Sequence, residues 1–181
     1  MTKLMIAYGS NLNKRQMRLR CPTARPLGKF TMRDARLVFR VYADLELKPG
    51  AEVPCGLWSI NAADERALDA YEGCQAAHGY YKEYITLLYA GRPRKAMLYL
   101  MRSDAGIAPP SQAYADTIRE GYQDFGMNPK YLDAAIKHAW DEKAHSEITR
   151  GRRERQKHGG VHRAIVTMPE SIALRRAQMR P

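Results

Sequence analysis

Leu4-Met5-Ile6-Ala7-Tyr8-Gly9-Ser10-Asn11-Leu12 is an apolar run of strand length that breaks onto small and polar residues. The run reads as a short buried strand, and Gly9-Ser10-Asn11 as a tight turn after it. Asn11 or Asn13 can then cap a helix reaching Arg20, where Cys21-Pro22 stops it. The turn presents consecutive backbone N–H groups beside little side-chain bulk, and with a helix starting behind it can hold a carboxylate or another oxyanion. It can equally be a turn and nothing more. It has neither the glycine spacing of a dinucleotide fingerprint nor the Gly-Lys-Ser/Thr of a phosphate loop.

Outward from this stretch, Ala35–Tyr42 alternates Leu37, Phe39 and Val41 against Arg36, Val38 and Arg40, as a half-buried strand does. Pro49-Gly50 marks a turn, and Val53–Ile60 a second strand. Asn61 caps a helix with Asp64 and Glu65 in its first turn, where the positive end of the helix dipole favours acids, and Gly73 is placed to end it. Tyr81–Tyr89 and Lys95–Met101 are β-rich runs joined through Ala90–Arg94 as a hairpin. Ser111 caps a helix to Phe125, with Gly126 as its stop. Asn128-Pro129 opens another, whose Leu132, Ala135, Ile136, Ala139 and Trp140 fall on one face. The order β-α-β-β-α-β-β-α-α lacks the regular alternation of a doubly wound parallel sheet, so the fold class is α+β.

Composition bounds the rest. The 181 residues, 45% of them hydrophobic, suffice for one core and one domain. No apolar run approaches the roughly 20 residues of a membrane span, and the start of the chain lacks the pattern of an export signal, so a soluble, cytoplasmic protein is expected. Cys21, Cys55 and Cys74 fit neither a disulfide framework nor paired metal knuckles; free thiols, no metal and no cofactor are expected. The net charge is +11, but residues 143–181 hold ten Lys/Arg against three Glu. A catalytic body over 1–148 and a basic extension over 149–181 follow. Nucleic acid is not the favoured partner, although the tail leaves that route open, and oligomeric state is not written in the pattern.

Glu72 breaks a local rule. It lies at the C-terminal end of its helix, where the dipole disfavours a carboxylate. Burial beside Tyr71, Tyr80 and Tyr81 would raise its pKa, as a general base working near neutral pH requires. The alternative is an exposed glutamate tolerated at a cost of about 0.3–1 kcal/mol.

Together, Tyr8-Gly9-Ser10-Asn11-Leu12, Val53-x-x-Gly56-Leu57-Trp58, Leu68-Asp69-x-x-Glu72-Gly73 and Tyr81 resemble the γ-glutamylcyclotransferase-like (AIG2-like) family in order and spacing. Tyr99-Leu100-Met101, Ala108-Pro109-Pro110-Ser111-x-x-Tyr114 and Tyr131 look like its animal branch. The resemblance covers roughly residues 4–137. It implies a small mixed or antiparallel β-barrel with flanking helices, and cofactor-free release of 5-oxoproline from a small γ-glutamyl compound, such as those of glutathione metabolism. It makes Glu72 the catalytic glutamate and the backbone of Tyr8, Gly9, Ser10, Asn11 and Leu12 the cradle of the γ-glutamyl group. Tyr81, with Tyr99 and Tyr114, falls on aromatic positions of the cavity. The stretch Cys74–Gly79 is longer than in the animal branch, which leaves Tyr80 or Tyr81 for the pocket. The departing amine is open between an amino acid, a dipeptide and another amine, with the Ala108–Tyr114 block favouring amino acids. The alternative function is a catalytically idle member of the fold that binds a partner, its basic tail contacting nucleic acid or an acidic protein.

Overall fold

The computed structural model describes residues 2–102 and 105–158. The part of the expected basic extension beyond residue 158 lies outside the described residues. The chain divides into two units, Met1–His145 and Ser146–Pro181. In the second, the described residues are the last turns of a helix, with Glu147, Ile148, Arg150, Arg152 and Arg153 exposed.

In the first unit, β1 (Lys3–Ala7) is the middle of a five-stranded mixed sheet of order β2-β3-β1-β5-β4. It is antiparallel to β3 (Tyr42–Ile60), from Lys3 opposite Ile60 to Ala7 opposite Gly56. On its other side it is parallel to β5 (Arg92–Met101) through Leu4–Ala96 and Met5–Met97. β2 (Arg25–Arg40) and β4 (Tyr80–Tyr89) are the edges. Leu4, Met5, Ile6 and Ala7 are all buried, together with Trp58 and Ile60 of β3 and Met97 of β5. A strand flanked on both sides is apolar on both faces, which is why its sequence is continuous rather than alternating.

The sheet does not close into the barrel that the resemblance implied. β1 ends at Ala7, while β3 and β5 run on past it. The gap beyond its end is spanned by side chains: Tyr80 Oη donates to the Ala43 carbonyl at 2.7 Å, and Asp44 Oδ1 accepts from the Met101 N–H at 3.1 Å. That opening is where the candidate cleft lies.

Two further readings need correction. The β2–β3 reversal occurs at Val41, between the paired Arg40 and Tyr42, and not at Pro49-Gly50. Pro49-Gly50 instead sits in a bulge of β3, where Gly50 adopts φ +76° and its N–H donates to Asp34 Oδ1 at 2.8 Å. Trp140, expected on the buried face of α4 (Lys130–His158), is 52% exposed, with Lys143 Nζ 5.0 Å from its ring centre. Leu132, Ala135 and Ala139 of that helix are buried.

The helix ends follow the sequence closely. Asn13 caps α1 (Lys14–Arg20), accepting from the Gln16 N–H at 3.0 Å. Asn61 and Asp64 form a capping box on α2 (Ala62–Tyr71), and Ser111 caps α3 (Gln112–Asp124). No helix of the described residues is long and apolar enough to cross a membrane.

Candidate active site

The turn after β1 is a single 3-10 turn, Ser10–Leu12, closed by Leu12 N–H to the Gly9 carbonyl at 2.9 Å and Asn13 N–H to the Ser10 carbonyl at 3.1 Å. Those bonds occupy the amides of Leu12 and Asn13. A helical turn leaves its leading N–H groups, here Ser10 and Asn11, without a partner inside the turn. Leu12 is fully buried; it anchors the loop in the core and does not face the cleft. A Cβ on Gly9 would lie 3.0 Å from Ala43 Cβ and 3.4 Å from Tyr114 Oη, so glycine allows the loop to lie against β3 and α3.

Glu72 is held from the other side. It is the C-terminal cap of α2 with helical backbone angles, and Gly73, at φ +64°, turns the chain away. The loop then closes on itself: Cys74 N–H donates to the Asp69 carbonyl at 2.9 Å, and Tyr80 N–H to the Glu72 carbonyl at 3.0 Å. A Cβ on Gly79 would sit 2.0 Å from the Gly73 carbonyl oxygen, so this closure needs glycine there. It also settles which tyrosine follows. Tyr80 lines the cleft, whereas Tyr81, its neighbour on β4, projects to the opposite face as alternate strand residues must. The Tyr81 ring lies 5.8 Å from the Arg102 guanidinium.

The cleft is narrow, with about 30 Å³ of free volume between its walls. Tyr8, Gly9, Ser10 and Asn11 form one wall, and Glu72, Tyr80, Tyr99, Tyr114 and Ala43 the other. Of the expected residues it therefore gathers Tyr8, Gly9, Ser10, Asn11, Glu72 and Tyr114, and leaves out Leu12 and Tyr81.

Glu72 is the only carboxylate among the described residues on these walls. Burial raises its pKa above the usual carboxylate range, while a hydrogen bond from Asn11 and the charge of Arg20 pull it back. Asn11 Nδ2 donates to Glu72 Oε1 at 2.7 Å, and Arg20 Nη1 donates to Asn11 Oδ1 at 2.8 Å. The Arg20 guanidinium also stacks 3.7 Å from the centre of the Tyr71 ring. This chain from Arg20 through Asn11 to Glu72 was not read from sequence; the one signal for it was an arginine at the last position of a helix that begins just after the loop.

The tyrosines are donors rather than bases. Burial raises the pKa of Tyr8, Tyr80 and Tyr99, and pushes Tyr114 up to about 12. Tyr8 Oη donates to the Tyr99 carbonyl, and Tyr99 Oη donates to Asp69 Oδ1 at 2.8 Å. Asp69 is in turn paired with Lys82, whose Nζ lies 2.9 Å from both Asp69 Oδ2 and Glu65 Oε1. The described residues contain no cluster of three metal-ligating side chains.

The mixed α+β fold thus sets one half-buried carboxylate, Glu72, across from a turn of backbone amides. The family described as gamma-glutamyl cyclotransferase, AIG2-like, matches residues 5–122, and the chain belongs to that family. It is 28% identical to the gamma-glutamylcyclotransferase of Mus musculus over 144 residues, 73% of this chain and 76% of the relative. The gamma-glutamylcyclotransferase of Homo sapiens is likewise 28% identical, over 72% of this chain and 75% of its own. Among solved structures, one titled "Gamma-glutamyl cyclotransferase" superposes with a TM-score of 0.65 at 26% identity, covering 75% of this chain and 86% of that one.

Proposed function

We propose that the protein releases 5-oxoproline and a free amine from a γ-glutamyl compound by intramolecular aminolysis, with Glu72 as the proton carrier. The observation that carries this reading is Glu72 itself, raised in pKa by burial and facing the Tyr8–Asn11 turn across a narrow cleft.

The substrate's α-amino nitrogen attacks its own γ-carbonyl carbon. That C–N bond closes a five-membered lactam, and the original amide C–N bond breaks. The amine needs a base to take its proton, and the departing nitrogen needs that proton back. One carboxylate serves both steps in turn, a contribution of about 10²- to 10⁴-fold. The resting chain of a γ-glutamyl group is extended, so the site must bend it until nitrogen and carbon are about 3–3.5 Å apart. The substrate's α-carboxylate on the N–H groups of Ser10 and Asn11 would hold one end, the Tyr114 hydroxyl, which accepts from the Ala43 N–H and keeps its own proton, would hold the carbonyl, and the other tyrosines would keep water out.

No cofactor enters this scheme. The scheme itself places no restriction on the departing amine, which can be an amino acid, a dipeptide or another amine. The test is 5-oxoproline release from a panel of γ-glutamyl amino acids, glutathione and γ-glutamylamines, with Glu72→Gln as the control. Release by the variant at the native rate would remove Glu72 from the chemistry.

A further inference from the structure

A second, wider cleft of about 720 Å³ adjoins the first and shares Ser10, Glu72, Tyr80 and Tyr114 with it. We infer that this outer cleft seats the departing amine and favours one bearing a large apolar or aromatic side chain. The inference rests on the proposed cyclisation. Once the γ-glutamyl group fills the inner cleft, the bond that breaks is the one beside Glu72, and the remainder of the substrate extends into the space on the other side of that carboxylate.

The rim of the outer cleft is apolar and open. Val41, Tyr42 and Tyr71 are 49%, 55% and 51% exposed and line one mouth. Single exposed apolar side chains are ordinary, but three around the entrance to a catalytic carboxylate mark a contact surface. Two of them are fixed in place before any ligand arrives. Tyr42 packs edge-on against Tyr114, with ring centres 5.3 Å apart, and Tyr71 lies under the Arg20 guanidinium.

Val41 adds an independent sign. It has φ +72°, a left-handed conformation that a β-branched residue adopts only under constraint. The constraint is visible: its N–H donates to the Ala108 carbonyl at 3.0 Å, and the Ala108 N–H donates to the Phe39 carbonyl at 2.9 Å. Strain of this kind persists where the surroundings enforce it, and it collects at ligand sites. Here it places Val41 and Tyr42 at the mouth.

The charged and basic side chains on the same wall are Arg40, Glu72 and the exposed His78. The Arg40 guanidinium is committed to Asp44, Glu46 and the Ala105 carbonyl. Among the described residues, Glu72 is the only carboxylate on the wall, so an ammonium tail finds no second partner there.

The test measures kcat/KM of the full chain for γ-glutamyl-phenylalanine, γ-glutamyl-leucine, γ-glutamyl-glycine and γ-glutamyl-ε-lysine. The phenylalanine and leucine compounds should exceed the other two by about tenfold or more, the scale of discrimination by an apolar pocket. Tyr42→Ala should lower the phenylalanine-to-glycine ratio by about tenfold. Val41→Gly should lower it too, in a variant whose new residue suits the backbone angle and so keeps the fold. A flat or reversed order among compounds that do yield 5-oxoproline overturns this inference and leaves the proposed function standing. Ratios unchanged in both folded variants overturn it as well. If no compound yields 5-oxoproline, the cyclisation reading fails. Calorimetric binding of the phenylalanine and glycine compounds to Glu72→Gln then decides the outer cleft: tighter binding of the former supports it, and equal binding overturns it.

Discussion

Asn11 Nδ2 lies 2.7 Å from Glu72 Oε1, so the loop proposed to face the substrate also touches the proposed proton carrier. Asn11 is one of two influences that hold the Glu72 carboxyl down against burial, Arg20 being the other. Asn11→Ala removes the donor and should carry the acidic limb of the kcat/KM profile to higher pH. Arg20→Leu should move it the same way. A uniform loss of rate with the limb in place would reduce both residues to scaffolding.

Glu72→Gln should cut 5-oxoproline release by about 10²- to 10⁴-fold and leave the protein at least as stable at neutral pH. Because burial raises the folded-state pKa above the unfolded value, Glu72 contributes stability below the unfolded pKa, and that contribution is lost as pH rises through the folded pKa. At about pH 7.5 the ionised side chain is therefore a burden that glutamine lacks, and at about pH 4 the burden is gone. Thermal unfolding of both proteins at the two pH values checks this, and a variant less stable only at the higher pH would contradict it.

Tyr80→Phe and Tyr81→Phe separate two adjacent tyrosines. Tyr80 donates to the Ala43 carbonyl at the edge of the cleft; Tyr81 faces away from it. Loss of one hydrogen bond of about 1 kcal/mol at Tyr80 should lower kcat/KM by roughly fivefold. Tyr81→Phe should leave it unchanged. Equal effects in the two variants would mean that the loop before them sits differently.

Gly79→Ala tests that loop directly. Its Cβ would meet the Gly73 carbonyl oxygen at 2.0 Å, and backbone cannot rotate aside as a side chain can. The closure behind Glu72 must open, costing about 1–3 kcal/mol of stability and displacing Tyr80. The expected result is a lower Tm with a larger fall in kcat/KM than Tyr80→Phe produces. A variant of native activity would show the closure to be dispensable.

Gly9→Val should raise KM with little loss of stability. The added Cβ alone would meet Ala43 Cβ at 3.0 Å and the Tyr114 hydroxyl at 3.4 Å, so the turn must shift where the substrate carboxylate is expected. Steady-state kinetics on the folded variant, with an unaltered KM as the contrary result, decides the cradle.

The element order and the helix ends were legible because they are written locally. Asn13, Asn61 and Ser111 satisfy amides two or three residues away, and Gly73 and Gly126 carry the positive φ that ends a helix. What was not legible depends on distant partners. Nothing near Val41 announces a chain reversal; it is fixed by Ala108, far along the sequence. Pro49-Gly50 has the composition of a turn and spends it on a bulge against Asp34. The choice of Tyr80 over Tyr81 hangs on the contact of Gly79 with Gly73, and the open sheet on how far β3 and β5 overrun β1. Glu72 was legible as a residue at the wrong end of its helix, but its link to Asn11 and Arg20 was not.

The pairing of Ala7 with Gly56 also fixes how the amide turn meets Glu72, so any turnover depends on this register. Asn11 and Glu72 are 61 positions apart, and a slip of one residue between β1 and β3 would turn the apolar run over and carry the amide turn away from the acid. Refolded protein of native helical content would then regain turnover only with this register in place. Recovered activity would time the moment at which the central strand finds its register.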